Sequence, residues 1–389
     1  MVRTRSGLFL AVVGLGSLLG AGACNKEGDK KAADNKAVEK DTKDTAAPGG
    51  DKKPDQAAAG SASMTAAPTT APGAAPPAEM AAKASSAVAT GGNADDLSLL
   101  PVDSEMVVGV NWKQLSNSAL WKEFVAPKLA ADANFNAGIG KFKALCSFDP
   151  MDAMTTISVG LKNLGNKSPD GAIVIHGFDR AKSMACFDKD GKAEAEKDGT
   201  KVTIEDNVVL LQKAGDPSLG FTFVNDTTAL VVLGAKADST AGVKEVAGGK
   251  TALGTSPNFV EIYNKVNTAD SVWMIANGNS KLFNEMSSKI PNAKLKAMFG
   301  SVNVTDGVTA DVRVRVDSPE NAKMLAEMGK QQAGAAAMFV DKIDIVADGS
   351  DIHAQLGITN AKLHTLMQFA AMGKAQHAGG GGGGLFGPK

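Results

Sequence analysis

Three cysteines and four histidines are the residues whose types could support nucleophilic, redox or metal chemistry. Cys146 and Cys186 lie about 40 residues apart, too far for a redox Cys-x-x-Cys motif. In an exported chain, where thiols oxidise, they form either a disulfide or two separate buried thiols. A disulfide closing this loop would stabilise the fold by roughly 4 kcal/mol in the chain-entropy model.

The histidines are scattered along the chain. No two of them have the three- or four-residue spacing that places two imidazoles on one face of a helix for zinc. We therefore expect core or surface roles for them and predict no metal site and no cofactor. The four are His176, His353, His364 and His377.

Catalytic motifs are also missing from the sequence. It contains no Gly-x-Ser-x-Gly elbow, no Ser-x-x-Lys with a partner motif, and no phosphate-binding glycine loop between a strand and a helix. We predict no catalytic residues and a protein that is not an enzyme, with an envelope hydrolase lacking a recognisable motif as an alternative.

The charge content argues against nucleic acid as a partner. Lys plus Arg number 41 against 42 Asp plus Glu, a net charge of −1. Arg180, Arg313 and Arg315 are the arginines beyond the N-terminal segment, too few for extensive phosphate recognition. Arg313 and Arg315 share one face of a predicted strand, as a small basic patch or as ordinary sheet-face charge.

The positions of several methionines and tryptophans allow more than one structural interpretation. Met324, Met328 and Met338 lie on one predicted helix, either in the core or lining a cleft for a hydrophobic ligand. Trp112 and Trp273 lie near equivalent points of the two halves of the chain, which favours packing in the core or at a sheet edge.

The N-terminal residues predict export. Arg3 and Arg5 form a positive segment before an uncharged apolar run over 8–19, which is too short for a comfortable membrane span. Ala21, Gly22 and Ala23 then precede Cys24. This pattern resembles the signal peptide of bacterial lipoproteins, whose cysteine receives diacylglycerol before cleavage. The same residues also fit ordinary secretory cleavage, which would release a soluble exported chain beginning at Cys24.

The resemblance implies a signal peptide over 1–23 and acyl chains on Cys24 that attach the protein to a membrane. In the enteric sorting rule, Asp after the cysteine retains a lipoprotein at the inner membrane, whereas this chain has Asn25. We therefore expect a lipid-anchored protein of the cell envelope, most consistent with the outer membrane, on its periplasmic or surface face.

Two segments have compositions typical of disorder. Residues 24–96 are rich in Ala, Lys, Asp, Thr and Pro with few large apolar residues, which predicts a disordered linker after Cys24. Residues 373–389 contain a run of glycines and predict a disordered tail. Periodic apolar patterns are confined to the residues between these segments.

The folded body is predicted to be an α+β fold with antiparallel sheets, because short links join most of its strands. Both halves repeat the order strand, helix, two strands, helix, two strands. Asp103-Ser104 before a strand matches Asp270-Ser271. We therefore predict duplicated α+β units over 97–250 and 251–372, each sheet covered by helices on one face.

Individual elements follow from periodicity and capping. Helices are predicted over 112–129, 257–266, 280–299 and 318–338. Strands are predicted over 105–111, 155–161, 172–178, 201–205, 208–212, 221–224, 229–233, 272–277, 301–305, 308–316, 342–346 and 352–358.

The start of the folded body, Leu100-Pro101-Val102-Asp103-Ser104, is similar to that of a bacterial envelope protein family with no assigned function. The resemblance implies no catalytic residues. Our leading hypothesis is a lipid-anchored envelope protein with a non-catalytic binding or scaffolding role, and we expect its partner to be another envelope protein or a hydrophobic ligand. A carrier or chaperone holding a lipid or hydrophobic peptide between the two units is the second hypothesis.

Overall fold

The computed structural model describes residues 93–164, 169–197, 199–249, 252–278, 281–288, 290 and 293–366. The predicted signal peptide, the lipidation site Cys24, the linker up to residue 92 and the tail over 373–389 lie outside these residues. The folded part begins slightly before the predicted boundary at 97, because residues Asn93–Asp96 form a helical turn.

Within the described residues, twelve strands form one antiparallel sheet, which confirms the predicted α+β class. They are β1 (Met106–Val110), β2 (Ile157–Lys162), β3 (Asp170–His176), β4 (Lys201–Glu205), β5 (Val208–Gln212), β6 (Leu219–Phe223), β7 (Thr228–Leu233), β8 (Val272–Asn277), β9 (Leu295–Val304), β10 (Gly307–Val316), β11 (Lys342–Asp348) and β12 (Asp351–Thr359). Their order across the sheet is β11-β12-β10-β9-β8-β1-β2-β3-β7-β6-β5-β4.

The helices connect these strands and cover the sheet. They are α1 (Asn93–Asp96), α2 (Trp112–Asn117), α3 (Ala126–Ala131), α4 (Ala133–Cys146), α5 (Pro150–Ala153), α6 (Arg180–Cys186), α7 (Lys192–Lys197), α8 (Thr240–Ala247), α9 (Pro257–Tyr263), α10 (Lys281–Ser287) and α11 (Pro319–Ala336). Short π-helical segments occupy Trp121–Val125 and Phe187–Gly191, and 3-10 turns occupy Gly234–Asp238 and Leu253–Thr255. A further helix begins at residue 360 and is described to 366.

Two predicted helices differ from the observed structure. The helix predicted over 112–129 is broken, since α2 ends at Asn117 and a π-helical segment follows. The helix predicted over 280–299 is wrong beyond Ser287, because β9 begins at Leu295. Pairing with strands on both sides overrides the local helical preference of this segment.

The two halves share one sheet instead of forming separate sheets. β1 and β8 pair along their whole length, from Met106 opposite Ala276 to Val110 opposite Val272. Outward from this pair the strands run β1-β2-β3-β7 on one side and β8-β9-β10-β12 on the other. This matching order is what a duplication predicts, with one additional hairpin in the first half.

Both faces of the sheet are covered in the first half, so the prediction of helices on one face is wrong there. The front face, which carries Val107 and Val174, packs against α8, α9 and the segment after α1. The back face, which carries Val108 and Val231, packs against helices between α2 and α7. In the second half α10 and α11 cover the back face.

The joint between the halves is packed around Trp273. Its side chain is 1% exposed on the front face and lies against Gly109 of the neighbouring strand β1. Trp112 belongs to the back-face core. The two tryptophans therefore do not occupy equivalent positions, contrary to the prediction from the sequence.

Candidate functional site

A groove of about 740 Å³ lies on the front face where the two halves join. Its floor includes Val107, Ile275 and Ala297, which come from the neighbouring strands β1, β8 and β9. Residues 102–105 line one side of the groove, and residues of α9 line it as well. Three carboxylates and three cations also line it, and these are Asp103, Glu105, Glu261, Lys162, Lys296 and Arg315.

The wall formed by residues 102–105 is held in place by polar contacts. The Ser104 hydroxyl donates to the Pro101 carbonyl over 2.6 Å. The Asp103 carboxylate lies 2.8 Å from Lys162 Nζ, which comes from the end of β2. The chain entering β1 is thereby fixed against the sheet.

A charged network built around Arg315 fixes the rim at α9. The Arg315 guanidinium donates to Asp351 over 2.7 Å and to Glu261 over 2.7 Å. Lys265 Nζ lies 3.1 Å from the Asp351 carboxylate. The carbon of the guanidinium stands 5.6 Å from the centre of the Phe299 ring. The arginine is therefore held in one position by two carboxylates and a ring.

The acidic groups in this network are ionised at neutral pH. Burial acts to raise the pKa of Asp351, but the hydrogen bonds and positive charges of Arg315 and Lys265 outweigh it and lower that pKa. Hydrogen bonding from Arg315 is the main cause that lowers the pKa of Glu261. Neither carboxyl group is tuned to donate a proton near pH 7, so the network favours positioning over acid catalysis.

Two rim charges remain available to a ligand. Lys296 is exposed, and its charge is one of the weaker causes that lower the pKa of Asp317, but it takes part in none of the salt bridges found among the described residues. The Glu105 carboxylate accepts a hydrogen bond from the backbone N–H of Leu164 over 3.1 Å and forms no ion pair with any described residue. One cation and one anion on the same groove suit a ligand that carries both charge signs.

A second polar cluster lies beneath α1. The Asp96 carboxylate is 1% exposed, accepts from the Ser158 hydroxyl over 2.6 Å and lies 2.7 Å from His176 Nε2. The Thr228 hydroxyl lies 3.1 Å from the other ring nitrogen. A serine hydrolase requires the histidine between the serine and the carboxylate, whereas here the carboxylate lies in the middle. The cluster therefore fastens α1 to the sheet.

Cys146 and Cys186 form a disulfide between the C-terminal ends of α4 and α6, with Cα atoms 4.8 Å apart. Both cysteines are buried against Phe142. An apolar cavity of about 50 Å³ lies beside them, lined also by Phe178 and Phe221. Its volume is far below the several hundred Å³ of a typical ligand pocket.

Of the described arginines and histidines singled out from the sequence, Arg315 lines the groove and the others lie outside it. His353 lies 2.8 Å from Asp311, and His364 lies 3.1 Å from Glu123. Arg313 pairs with Asp348 over 2.8 Å, so it does not form a free basic patch with Arg315. His377 lies outside the described residues. No group of three or more His, Cys, Asp or Glu side chains within the described ranges could hold a metal ion.

The three methionines do not form a core. Met324 and Met328 on α11 are 41% and 46% exposed, and Met338 is 72% exposed. None of them lines a groove described above. The core interpretation is therefore wrong for these side chains.

The Arg315 network could not be found from the sequence. Asp351 and Glu261 lie 36 and 54 residues from Arg315. Only the pairing of β10 with β12 and the packing of α9 bring these residues together. The one available signal was the position of Arg315 on a strand face, which does not identify partners.

The described helices include none with the length and apolar character needed to span a membrane. No protein-family model matches the chain, and neither does any curated protein or solved structure. The resemblances to bacterial lipoproteins and to an envelope family therefore stay predictions.

Proposed function

We propose that the protein is a lipid-anchored binding protein of the cell envelope, attached to the membrane by acyl chains on Cys24. Its groove holds a polar ligand that carries an anionic and a cationic group, of which a short peptide segment is the simplest example. The observation that carries this proposal is the pair of available rim charges, Lys296 and Glu105, beside an apolar floor.

Two features support the proposed location in the cell envelope. The residues before Cys24 resemble a lipoprotein signal, and the structure joins the remaining cysteines, Cys146 and Cys186, in a disulfide. Disulfides persist in oxidising compartments such as the bacterial periplasm. With Cys24 acylated, the chain carries no unpaired thiol.

The groove supports binding more than scaffolding or transport of lipid. Its volume of about 740 Å³ lies within the range of ligand sites. Charged side chains line it, and they would lose hydration without compensation if an acyl chain covered them. A ligand with both charge signs would instead pair with Lys296 and Glu105 and cover the apolar floor.

The ligand test uses protein isolated from its native envelope in mild detergent, followed by native mass spectrometry. We expect a co-purified polar molecule with amino and carboxyl groups. Asn277→Trp places a large ring in the groove from an exposed position and is expected to abolish its binding. Thr309→Trp, an exposed position on β10 that does not line the groove, is the matched control. A bound lipid, or equal binding by both variants, contradicts the proposal.

The anchor is tested separately. Cys24→Ser is expected to move the protein from the membrane fraction to the soluble fraction, and intact mass of the wild-type chain is expected to show acyl chains on residue 24. Retention of the Cys24→Ser chain in the membrane fraction would show that another segment attaches it. If the anchor prediction fails, the ligand test still decides independently whether the groove binds the proposed ligand.

A further inference from the structure

β11 is an edge strand of the twelve-stranded sheet, and β12 is the strand paired with it. Five of its seven residues are exposed. An edge strand presents backbone N–H and C=O groups that can pair with another strand. Short length and proline often block such pairing, but β11 has seven residues and no proline.

The hairpin after β11 determines which of its backbone groups point outward. Gly349 and Ser350 form a two-residue turn between Asp348 and Asp351, and Gly349 has a φ of 59°. In such a turn the carbonyl of the residue before the turn accepts a hydrogen bond from the N–H of the residue after it. Asp348 and Asp351 are therefore a hydrogen-bonded pair. Because hydrogen-bonded pairs alternate, the backbone groups that point away from β12 belong to Ile343, Ile345 and Ala347.

We propose that a second copy of this chain pairs with β11, antiparallel, about a two-fold axis at Ile345. In this register Ile345 faces its own copy and Ile343 faces Ala347 of the second copy. Each of these three hydrogen-bonded pairs contributes two backbone hydrogen bonds. It is the register that pairs all seven residues of β11, and it leaves no outward backbone group of this strand without a partner.

Charge favours the same register. It places Lys342 opposite Asp348 of the second copy, and the two-fold axis repeats this contact at the other end of the strand. A slip of two residues in one direction brings Asp344 opposite Asp344, and a slip in the other brings Asp344 opposite Asp348. Opposite charges stabilise cross-strand pairs and like charges destabilise them, so both slips are disfavoured. β11 is therefore complementary to itself.

The other edge of the sheet is a weaker candidate. β4 also begins with a lysine and ends with a glutamate, but it has five residues, and its hairpin turn at Asp206 and Asn207 leaves only Val202 and Ile204 pointing outward. β4 therefore offers fewer hydrogen bonds to a second copy and provides a matched control.

Zero-length carbodiimide cross-linking of the full membrane-anchored chain in envelope vesicles tests the contact directly. The reagent joins an amine to a carboxylate that touches it. Within one chain Lys342 and Asp348 lie at opposite ends of a seven-residue strand, about 20 Å apart at the rise of a β-strand. A Lys342–Asp348 cross-link therefore reports a second copy, and mixing isotope-labelled and unlabelled protein verifies that two chains are joined.

Variants of the detergent-solubilised chain complete the test by analytical ultracentrifugation. We expect Lys342→Asp to weaken dimerisation by about tenfold or more, because each of two attractive contacts becomes repulsive. Adding Asp348→Lys to it restores an attractive pair and is expected to restore the dimer. Because Asp348→Lys also removes the partner of Arg313, the double variant is compared with Asp348→Lys alone. Ala347→Pro, at an exposed position with an outward N–H, is a second disrupting variant. Thermal unfolding checks that each variant is folded.

The control is Lys201→Asp on β4, which is expected to leave the dimer unchanged. A wild-type chain that stays monomeric at tens of micromolar overturns the proposal, as does a dimer that is insensitive to Lys342→Asp. Loss of the dimer in Lys201→Asp would place the contact on the other edge and equally refute it.

Discussion

Gly109→Ala tests the packing of the joint between the two halves. A Cβ atom on Gly109 would lie 2.0 Å from Cε2 and 2.0 Å from Nε1 of Trp273. Ordinary contact between such atoms needs about 3.5 Å, so the indole would have to move by roughly 1.5 Å. Trp273 is 1% exposed and packs edge-on against Tyr263, so it has no open space to move into.

Overpacking a filled core costs about 1–3 kcal/mol and sometimes more. Because the clash involves a buried ring at the centre of the sheet, we expect Gly109→Ala to cost about 3 kcal/mol or more. This is a large part of the roughly 5–15 kcal/mol that stabilises a typical protein. Urea unfolding followed by far-ultraviolet circular dichroism measures the loss as a shift of the midpoint at an unchanged slope.

A double-mutant cycle attributes the effect to this contact. Trp273→Phe removes the clashing indole nitrogen, and we expect the Gly109→Ala change to cost at least about 1 kcal/mol less in that background. A cost below about 1 kcal/mol in the wild-type background, or full additivity with Trp273→Phe, would show that the close approach of Gly109 and Trp273 does not determine the packing of the joint.

Three further predictions concern the clusters described above. Asp96→Ala is expected to destabilise the fold by about 2–4 kcal/mol in urea unfolding, because it removes the buried carboxylate that binds Ser158 and His176; a loss below 1 kcal/mol would contradict this. Replacing both Cys146 and Cys186 by Ala is expected to cost about 4 kcal/mol, measured the same way against the disulfide-bonded wild type, and reduced wild-type protein should unfold at a midpoint similar to that of the variant. The pKa of Asp351 is lowered in the folded state, so the stability that it contributes is present above its ordinary pKa of 3.8 and is lost as pH falls through its lowered folded-state pKa. The unfolding midpoint of Asp351→Asn should therefore depend less on pH below 3.8 than that of the wild type, and an unchanged acid profile would argue against the Arg315 pair.

Local patterns were sufficient for many elements. The strand predicted over 272–277 matches β8, and Asp270-Ser271 directly precede it as predicted. The helix predicted over 318–338 begins one residue before α11, since the Ser318 side chain accepts from the Asn321 N–H as an N-cap. Periodicity and capping depend on residues that are close together in sequence, so they can be recognised without the tertiary structure.

Local patterns gave the wrong element where pairing with other strands determines the secondary structure. The segment over 295–299 was predicted to be helical, yet Leu295, Ala297 and Phe299 are buried alternately in β9. β9 pairs with β8 and β10, which are separate segments of the chain. Local propensity depends on one segment alone, so it does not include the hydrogen bonds to these strands.

The sequence by itself determined the α+β class, the antiparallel pairing of neighbouring strands and the matching order of the two halves, because these follow from periodicity and short connections. The tertiary structure decided that β1 and β8 join the halves into one sheet, and that Arg315, Asp351 and Glu261 meet beside a charged groove. These contacts depend on how distant strands and helices pack, and the free energy of that packing is not a property of any one segment.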